Sequence, residues 1–372
     1  QGRQTERAIH HLRQAGEKAK ARSAMREAMY HFRRGLELVA ADAGSGTAPR
    51  LELDLLIGLG PAQQAVEGLG STGVETTYLR ARELAAAGPD RRALFTVLWG
   101  LWLLYNQRGA LRTSYPLAHE LLDLSRELDD PGLVMQAYHA LWPVAFFHGD
   151  FAATLDFVAQ GEALYDAEKH RSHRLLFGGH DPLPCGFTFR ALALWLQGSE
   201  AQAVASRASG IEMAEGRGHP FSQGLTSAMS NWIWIFRRDP AALRPDAERL
   251  VALARAQGFR QWQAYGEIQQ GWALAMQGEC QAGLALIDAG IAANRRIGGH
   301  VAEPFHLGLR AEAQLLAGDP AAALESLSAA LAQVETNDEH WWEPELLRLA
   351  GDCRLVLGQE AEADKTYAEA SA

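Results

Sequence analysis

GWALAMQGECQAGLALIDAG, residues 271–290, carries the pattern on which the reading of the whole chain turns. One apolar run ends at Gly278 and another follows it. Three more small residues stand at fixed offsets from that glycine: Gly271 seven before it, Gly283 five after and Gly290 twelve after. The same turn recurs outward from here. Downstream it is Gly318 and then Gly358, in steps of 40 residues. Upstream it is Gly198, 80 residues back, with Arg238 and Asp239 standing at the missing halfway turn. Beyond that come Gly149 and Gly109, separated by 40 residues, with a step of 49 between Gly149 and Gly198.

The small positions travel with the turn. The slot before it holds Ala191, Gly271, Ala311 and Gly351, the next Ala203, Gly283, Ala323 and Ala363, and the last Gly161, Gly210, Gly290, Ala330 and Ala370. Earlier repeats depart from this, with Trp102, Trp142 and Asn231 in the first slot and Ser114, Thr154 and Leu243 in the second. Between the turns the periodicity is helical: Leu324, Leu327, Leu331 and Val334 follow the three-and-four spacing of one helix face. Pro240 and Pro320 suit early helix positions, where a missing N–H costs nothing. No segment sustains two-residue alternation, so no sheet is expected.

Helix, tight turn and helix, with small residues where two helices meet, is similar to the tetratricopeptide repeat. A period of 40 exceeds that repeat's usual ~34, which predicts helices about a turn longer. The expected fold is all-α, a right-handed α-α superhelix of about nine helix pairs, forming a single solenoid over 1–372. Its first pair lies in 1–41, with helices Glu6–Ala21 and Ser23–Ala40, and a loop follows at Ala41–Arg50. The second pair lies in 51–88, with helices Leu51–Glu67 and Val74–Ala87. Pairs three and four lie in 90–165, an irregular insertion in 166–184, and pairs five to nine in 185–372. Such a stack buries each pair only against its neighbours and has a concave face lined by the first helices.

Composition narrows the function. A net charge of −10 makes general nucleic-acid binding a poor fit. Three widely spaced cysteines, Cys185, Cys280 and Cys353, suggest neither a disulfide framework nor a CxxC zinc site, and favour a reducing, cytoplasmic setting. The longest apolar stretch, Ala93–Tyr105, is too short to span a membrane. The chain begins at Gln1 without a leader, so it reads as a piece of something longer.

The chemistry-bearing motifs are weak. Gly68-Leu69-Gly70-Ser71-Thr72-Gly73 matches GxGxxG, but it joins two expected helices rather than leaving a strand, and Thr72 with Glu75 reads as a capping box. There is no GK[ST], HExxH or GxSxG, and Asp129-Asp130 reads as a solvated turn. No catalytic residue, cofactor or metal is therefore expected.

The extra nine residues of the 49-residue step fall in Ala167–Pro184, which holds His170, His173, His180 and Asp181, with Cys185 just beyond. Gly178-Gly179 before Asp181-Pro182 is most simply a sharp turn, with Asp181 capping the next helix. A metal-dependent site at 166–184 is the less favoured alternative, because His170-x-x-His173 with a loose third ligand is a weak signal. Long loops in compact arrays are often functional, which makes His180 and Asp181 candidates for partner contact.

Ten tryptophans supply the other candidates. Aligned on the turn, the slot six residues before it faces the concave side and holds Trp232, Trp272, Glu312 and Asp352. Neighbouring inner slots hold Trp99, His139, Phe146, Trp195, Tyr265, Phe305 and Arg348. The expectation is a groove with aromatic walls in the middle and carboxylates toward the C-terminal end, suited to a peptide, a helix or a small ligand. Packing between repeats is the competing role for each of these residues.

Several phrases together resemble a known architecture. They are Arg22-Ser23-Ala24 with His31-Phe32-Arg33-Arg34-Gly35-Leu36-Glu37-Leu38, Leu98-Trp99-Gly100-Leu101-Trp102, His170-Arg171-Ser172-His173, Gly179-His180-Asp181-Pro182, Ala193-Leu194-Trp195-Leu196 and Gly271-Trp272-Ala273-Leu274-Ala275. They resemble the C-terminal tetratricopeptide region of large bacterial signalling proteins. Those place a class III adenylate or guanylate cyclase domain, or a DNA-binding domain, before a STAND-type ATPase, and the repeats follow. Where that family has a GQDPG-like turn, this chain reads Gly179-His180-Asp181-Pro182-Leu183. The resemblance implies a sensor or scaffold arm that binds a protein, peptide or small-molecule inducer and regulates an upstream ATPase or cyclase domain. Neither enzymatic activity carries over, because the motifs for both are absent. A structural oligomerisation scaffold is the rival reading.

Overall fold

The computed structural model describes residues 2–22, 24–41, 48–170, 173 and 176–371. Among these residues there are helices and turns and no strand. The helices run in order as α1 (Gly2–Ala21), α2 (Met25–Ala41), α3 (Ala48–Glu67), α4 (Thr72–Ala87), α5 (Arg91–Gln107), α6 (Leu111–Glu127), α7 (Pro131–His148) and α8 (Phe151–Leu164). After the insertion come α9 (Pro182–Leu196), α10 (Glu200–Gly216), α11 (Pro220–Ser230), α12 (Trp232–Phe236) and α13 (Pro240–Gln257). The last are α14 (Arg260–Met276), α15 (Cys280–Arg296), α16 (Glu303–Leu316), α17 (Pro320–Asn337), α18 (Glu343–Val356) and α19 (Glu360–Ala370).

α11 and α12 are one helix broken at Asn231. The Arg207 guanidinium takes the Ser230 carbonyl at 3.1 Å, and the Trp234 N–H bonds the Asn231 carbonyl instead. Counted so, the described helices form nine pairs in a tetratricopeptide-like solenoid. The loop expected at Ala41–Arg50 lies largely outside the described residues, and α3 already begins at Ala48. Ser23, expected to open the second helix, also lies outside them.

The repeat has a physical basis in two places. From α5 onward each turn within a pair has a left-handed residue, and Gly109, Gly149, Gly198, Gly278, Gly318 and Gly358 all have positive φ. At the one turn of this series without glycine Arg238 takes that conformation, at φ 58°. Between helices, Gly271 and Gly283 let α14 and α15 touch through their backbones: a Cβ at Gly271 would lie 2.5 Å from the Gly283 carbonyl oxygen.

First helices face inward. α7 buries fifteen of its eighteen residues, while its partner α8 buries three. One apolar core runs from Leu53 to Cys353, and a smaller one packs α1 and α2 against α3.

The superhelix also closes on itself. The loop after α15 reaches back to α5, where His300 and Val301 donate backbone N–H groups to the Gln107 carbonyl at 2.8 and 3.1 Å. Gly70 lies against the Gly298 backbone so tightly that a Cβ would sit 2.0 Å from its carbonyl oxygen. This gives the GxGxxG segment a structural reason for its glycines. The loop after α17 does the same one repeat on: Arg112 pairs with Asp338 at 3.1 Å, and the Trp341 N–H reaches the Phe147 carbonyl at 3.3 Å. The capping expectation there is corrected. Ser71, not Thr72, caps α4, accepting from the Val74 N–H, while Glu75 is drawn away to Tyr105 and Arg108.

Candidate functional site

Closure fills the middle of the concave face. Trp341, carried in by the seam, stacks on Trp232 at 5.2 Å and 11° and meets Phe146 and Phe305 at 5.0 and 5.2 Å. Toward the C-terminal end the face stays open, and a cavity of about 860 Å³ remains. α9 and α12 form one wall, α16 the floor, and α18 with α19 the other wall.

Its apolar wall is aromatic. Phe236 stacks with Trp342 at 5.0 Å and 23° and lies 6.5 Å from Trp195. Charged groups are fixed opposite. Arg348 holds Glu345 with two bonds of 2.7 Å and Asp352 with a third of 2.6 Å. These carboxylates raise the pKa of its guanidinium further, chiefly through the Glu345 bonds, so it stays charged. Tyr367 donates to the other oxygen of Asp352 at 2.7 Å. On the floor, Glu312 accepts from Trp272 Nε1–H at 2.6 Å and forms an ion pair with Arg238. The cavity thus offers stacking surface beside paired, pre-oriented charges, an arrangement that suits an amphipathic ligand.

Of the residues expected in the groove, Trp195, Glu312 and Arg348 line this cavity. Among the described residues, the aromatic side chains expected to wall an open groove farther along are packed away instead. His139, Phe146, Trp232, Tyr265, Trp272 and Phe305 are all at most 2% exposed. They are covered by neighbouring repeats and by the seam, which the alignment on the turn does not see. Phe236, Arg238, Trp341 and Trp342 were missed. A second 40-residue series, Gly218, Gly258, Gly298 and Asp338, marks the turns between pairs, all at positive φ. Reading it places the tandem tryptophans just beyond the last of these turns.

The insertion is a separate centre. Phe177 is buried and inserts against Phe95 and Trp99, at 5.8 and 5.5 Å, so the insertion packs onto the inner face of α5. Asp181 caps α9 by accepting from the Leu183 N–H at 3.0 Å and pairs with Arg217. It is therefore engaged structurally. His173 and His180 are both held by α7: Gln136 Nε2 lies 3.4 Å from His173 Nδ1, and His139 Nε2 lies 2.9 Å from His180 Nε2. Burial pushes His173 and His180 down to about 4 and His139 well below its ordinary value. Arg171, Ser172, Arg174 and Leu175 lie outside the described residues.

No family model matches the chain. It is 28% identical over 349 residues to an uncharacterized protein of Rhizobium meliloti (strain 1021), an alignment covering 93% of this chain and 33% of that protein. The chain thus spans about a third of that relative's length. Among solved structures it is similar to a Rap protein complexed with competence and sporulation factor, at 10% identity and a TM-score of 0.71, covering 99% of this chain and 97% of that one. It is also similar to aspartyl phosphate phosphatase F from Bacillus subtilis, at 10% identity and a TM-score of 0.55, covering 98% and 93%. At these identities the likeness is one of fold. No described helix is long and apolar enough to cross a membrane.

Proposed function

We propose that this chain is a non-catalytic binding arm that takes a peptide or protein segment into the cavity between α9, α12, α16 and α18. The observation that carries this is the contrast along one concave face, filled in the middle yet open where aromatic rings and oriented charges converge. The Rap protein of the same fold was solved in complex with competence and sporulation factor, which supports the choice of a binding role. In the fuller form of this reading the arm is the sensor of a bacterial signalling protein and regulates an ATPase or cyclase domain upstream. The family resemblance favours that form, as does a relative much longer than the aligned region.

The test is selection of short peptides from a displayed library on the purified chain, followed by affinity measurement with Trp342→Ala and Arg348→Glu. Selected peptides lose more than about tenfold in affinity for each variant, about 1.4 kcal/mol. Unchanged affinity for both variants, with their helical content intact, sinks this location.

A further inference from the structure

One cluster lies outside that cavity and has no part in it. His139 comes from the middle of α7, His180 from the end of the insertion and Cys185 from the first turn of α9. All three are buried, at 1%, 6% and 3% exposure, and their ligand-capable atoms lie within 4.8 Å of one another. Each imidazole is anchored through its far nitrogen. His180 Nδ1 lies 3.0 Å from the Gly178 carbonyl, which can only accept, so the proton sits on Nδ1 and the Nε2 lone pair is bare. His139 Nδ1 lies 3.0 Å from Gln136 Oε1, and with the amide in this orientation the same tautomer follows. The two bare Nε2 atoms then face each other at 2.9 Å in an apolar enclosure. Anchoring Nδ1–H on a carbonyl while Nε2 points at an ion is how metal-binding histidines are oriented.

We propose that His139, His180 and Cys185 form a three-coordinate site for a soft monovalent cation of the Cu(I) type. Thiolate and imidazole select soft metals. Charge then chooses among them. Trp142, Trp99 and Trp102 lie 4.9, 5.7 and 6.5 Å from His139, so the enclosure disfavours any net charge. One thiolate, two neutral imidazoles and a monovalent ion sum to zero, whereas a divalent ion leaves an uncompensated positive charge. Metal–nitrogen bonds of about 2.0–2.1 Å require the two nitrogens to part by roughly half an ångström. Rotating the His180 ring, which sits on the insertion, supplies that. Trp142 Nε1–H is buried with no oxygen or nitrogen acceptor and lies toward the Cys185 sulfur, so a thiolate there would have a donor beside it. Binding replaces the Cys185 S–H proton with the ion and releases the proton to water. It would staple the insertion to α7 and α9. The competing arrangement turns the Gln136 amide over, so that His139 donates to His180 and the pair holds a proton and no ion.

The full chain, stripped of metal, is titrated anaerobically with Cu(I) against a chromophoric competitor, and separately with Zn(II). One Cu(I) per chain is expected, with an absorption-edge signature of two nitrogens and one sulfur and an affinity that rises about tenfold per pH unit for the single proton released. Cys185→Ser and His180→Gln each weaken binding by more than about 100-fold, beyond what loss of an outer partner costs. Cys280→Ser leaves it unchanged. Should both ligand variants misfold, the wild-type chain still decides: its bound Cu(I) shows one sulfur and two nitrogens in the absorption-edge signature. Absence of one-to-one binding, Cu(I) affinity indifferent to Cys185→Ser, coordination without a sulfur, or preference for Zn(II) each overturns the proposal.

Discussion

Two stretches of one concave face end differently. Where the 40-residue step is interrupted, the chain fills its own groove: Phe177 packs on Phe95 and Trp99, and the histidines behind it are sealed. Where the step is kept, from α14 to α19, the inner face retains a cavity beside Trp195 and Arg348. Regular repeats generate a groove, which the insertion occupies at α5 and Trp341 occupies at its middle. The irregular segment, the obvious place to look for a ligand, is thus itself one of the occupants, and the open site lies among ordinary repeats.

The sharpest way to break this contrast is to truncate one tryptophan in the filled part of the face and one at the open cavity. Trp232→Ala removes a side chain with no exposure from between Trp341 and Phe305 and is expected to cost about 3–5 kcal/mol in urea denaturation. Trp195→Ala, at the half-buried cavity wall, is expected to cost about 1 kcal/mol or less, as for a partly exposed site. Equal losses would mean that the face is not divided as described.

Phe177→Ala follows, at about 3 kcal/mol or more, and should open the inner face of α5 without affecting peptide affinity at the cavity. A change in that affinity would join the two regions into one site. Gly271→Ala comes next. Its new Cβ meets backbone rather than a movable side chain, so about 1–3 kcal/mol is expected.

The seam between the two regions has a pH signature. Glu339 is wholly buried, and burial, reinforced by Glu303, pushes its carboxyl up from 4.5 to about 8, against the Trp341 and Ala302 N–H groups that it accepts from. Between those values the unfolded chain sheds a proton that the folded chain keeps. This carboxyl therefore makes stability fall as pH rises from about 4.5 to about 8. Glu339→Gln should flatten that slope, read from urea midpoints at pH 5 and pH 8. An unchanged slope would assign it to other groups. The smallest effect is Arg112→Ala, an exposed ion pair at the seam, expected at about 1 kcal/mol or less.

Much of the fold was legible because its causes are local. A left-handed turn asks for glycine wherever it recurs, and touching backbones ask for residues such as Gly271 and Gly283. The seam was not legible because its partners are far apart: Arg112 meets Glu335 and Asp338 across more than 220 residues, with no period connecting them. The same blindness explains the groove. Counting from the turn places Trp232 and Trp272 on the inner side. Only the returning loop reveals that Trp341 covers Trp232, and that the cavity belongs to Phe236, Trp342 and Arg348. Gly68 and Gly70 read as a spare loop for the same reason, since what presses on them lies near Gly298.

The contact of Gly70 with Gly298 has a consequence for how the molecule assembles. A stack of repeats is ordinarily a nearest-neighbour system, in which units add one after another and loss of an end frays only what adjoins it. Here the second pair leans on the seventh. The helix pairs can zip up from short-range contacts, but the seam must wait for some two hundred intervening residues to be in place and so forms late. Once formed it links distant units into a single cooperative circuit. Removing α18 and α19 should then loosen amide protection not only in α16 and α17 but also around Gln107 and Phe147, at the far side of the chain.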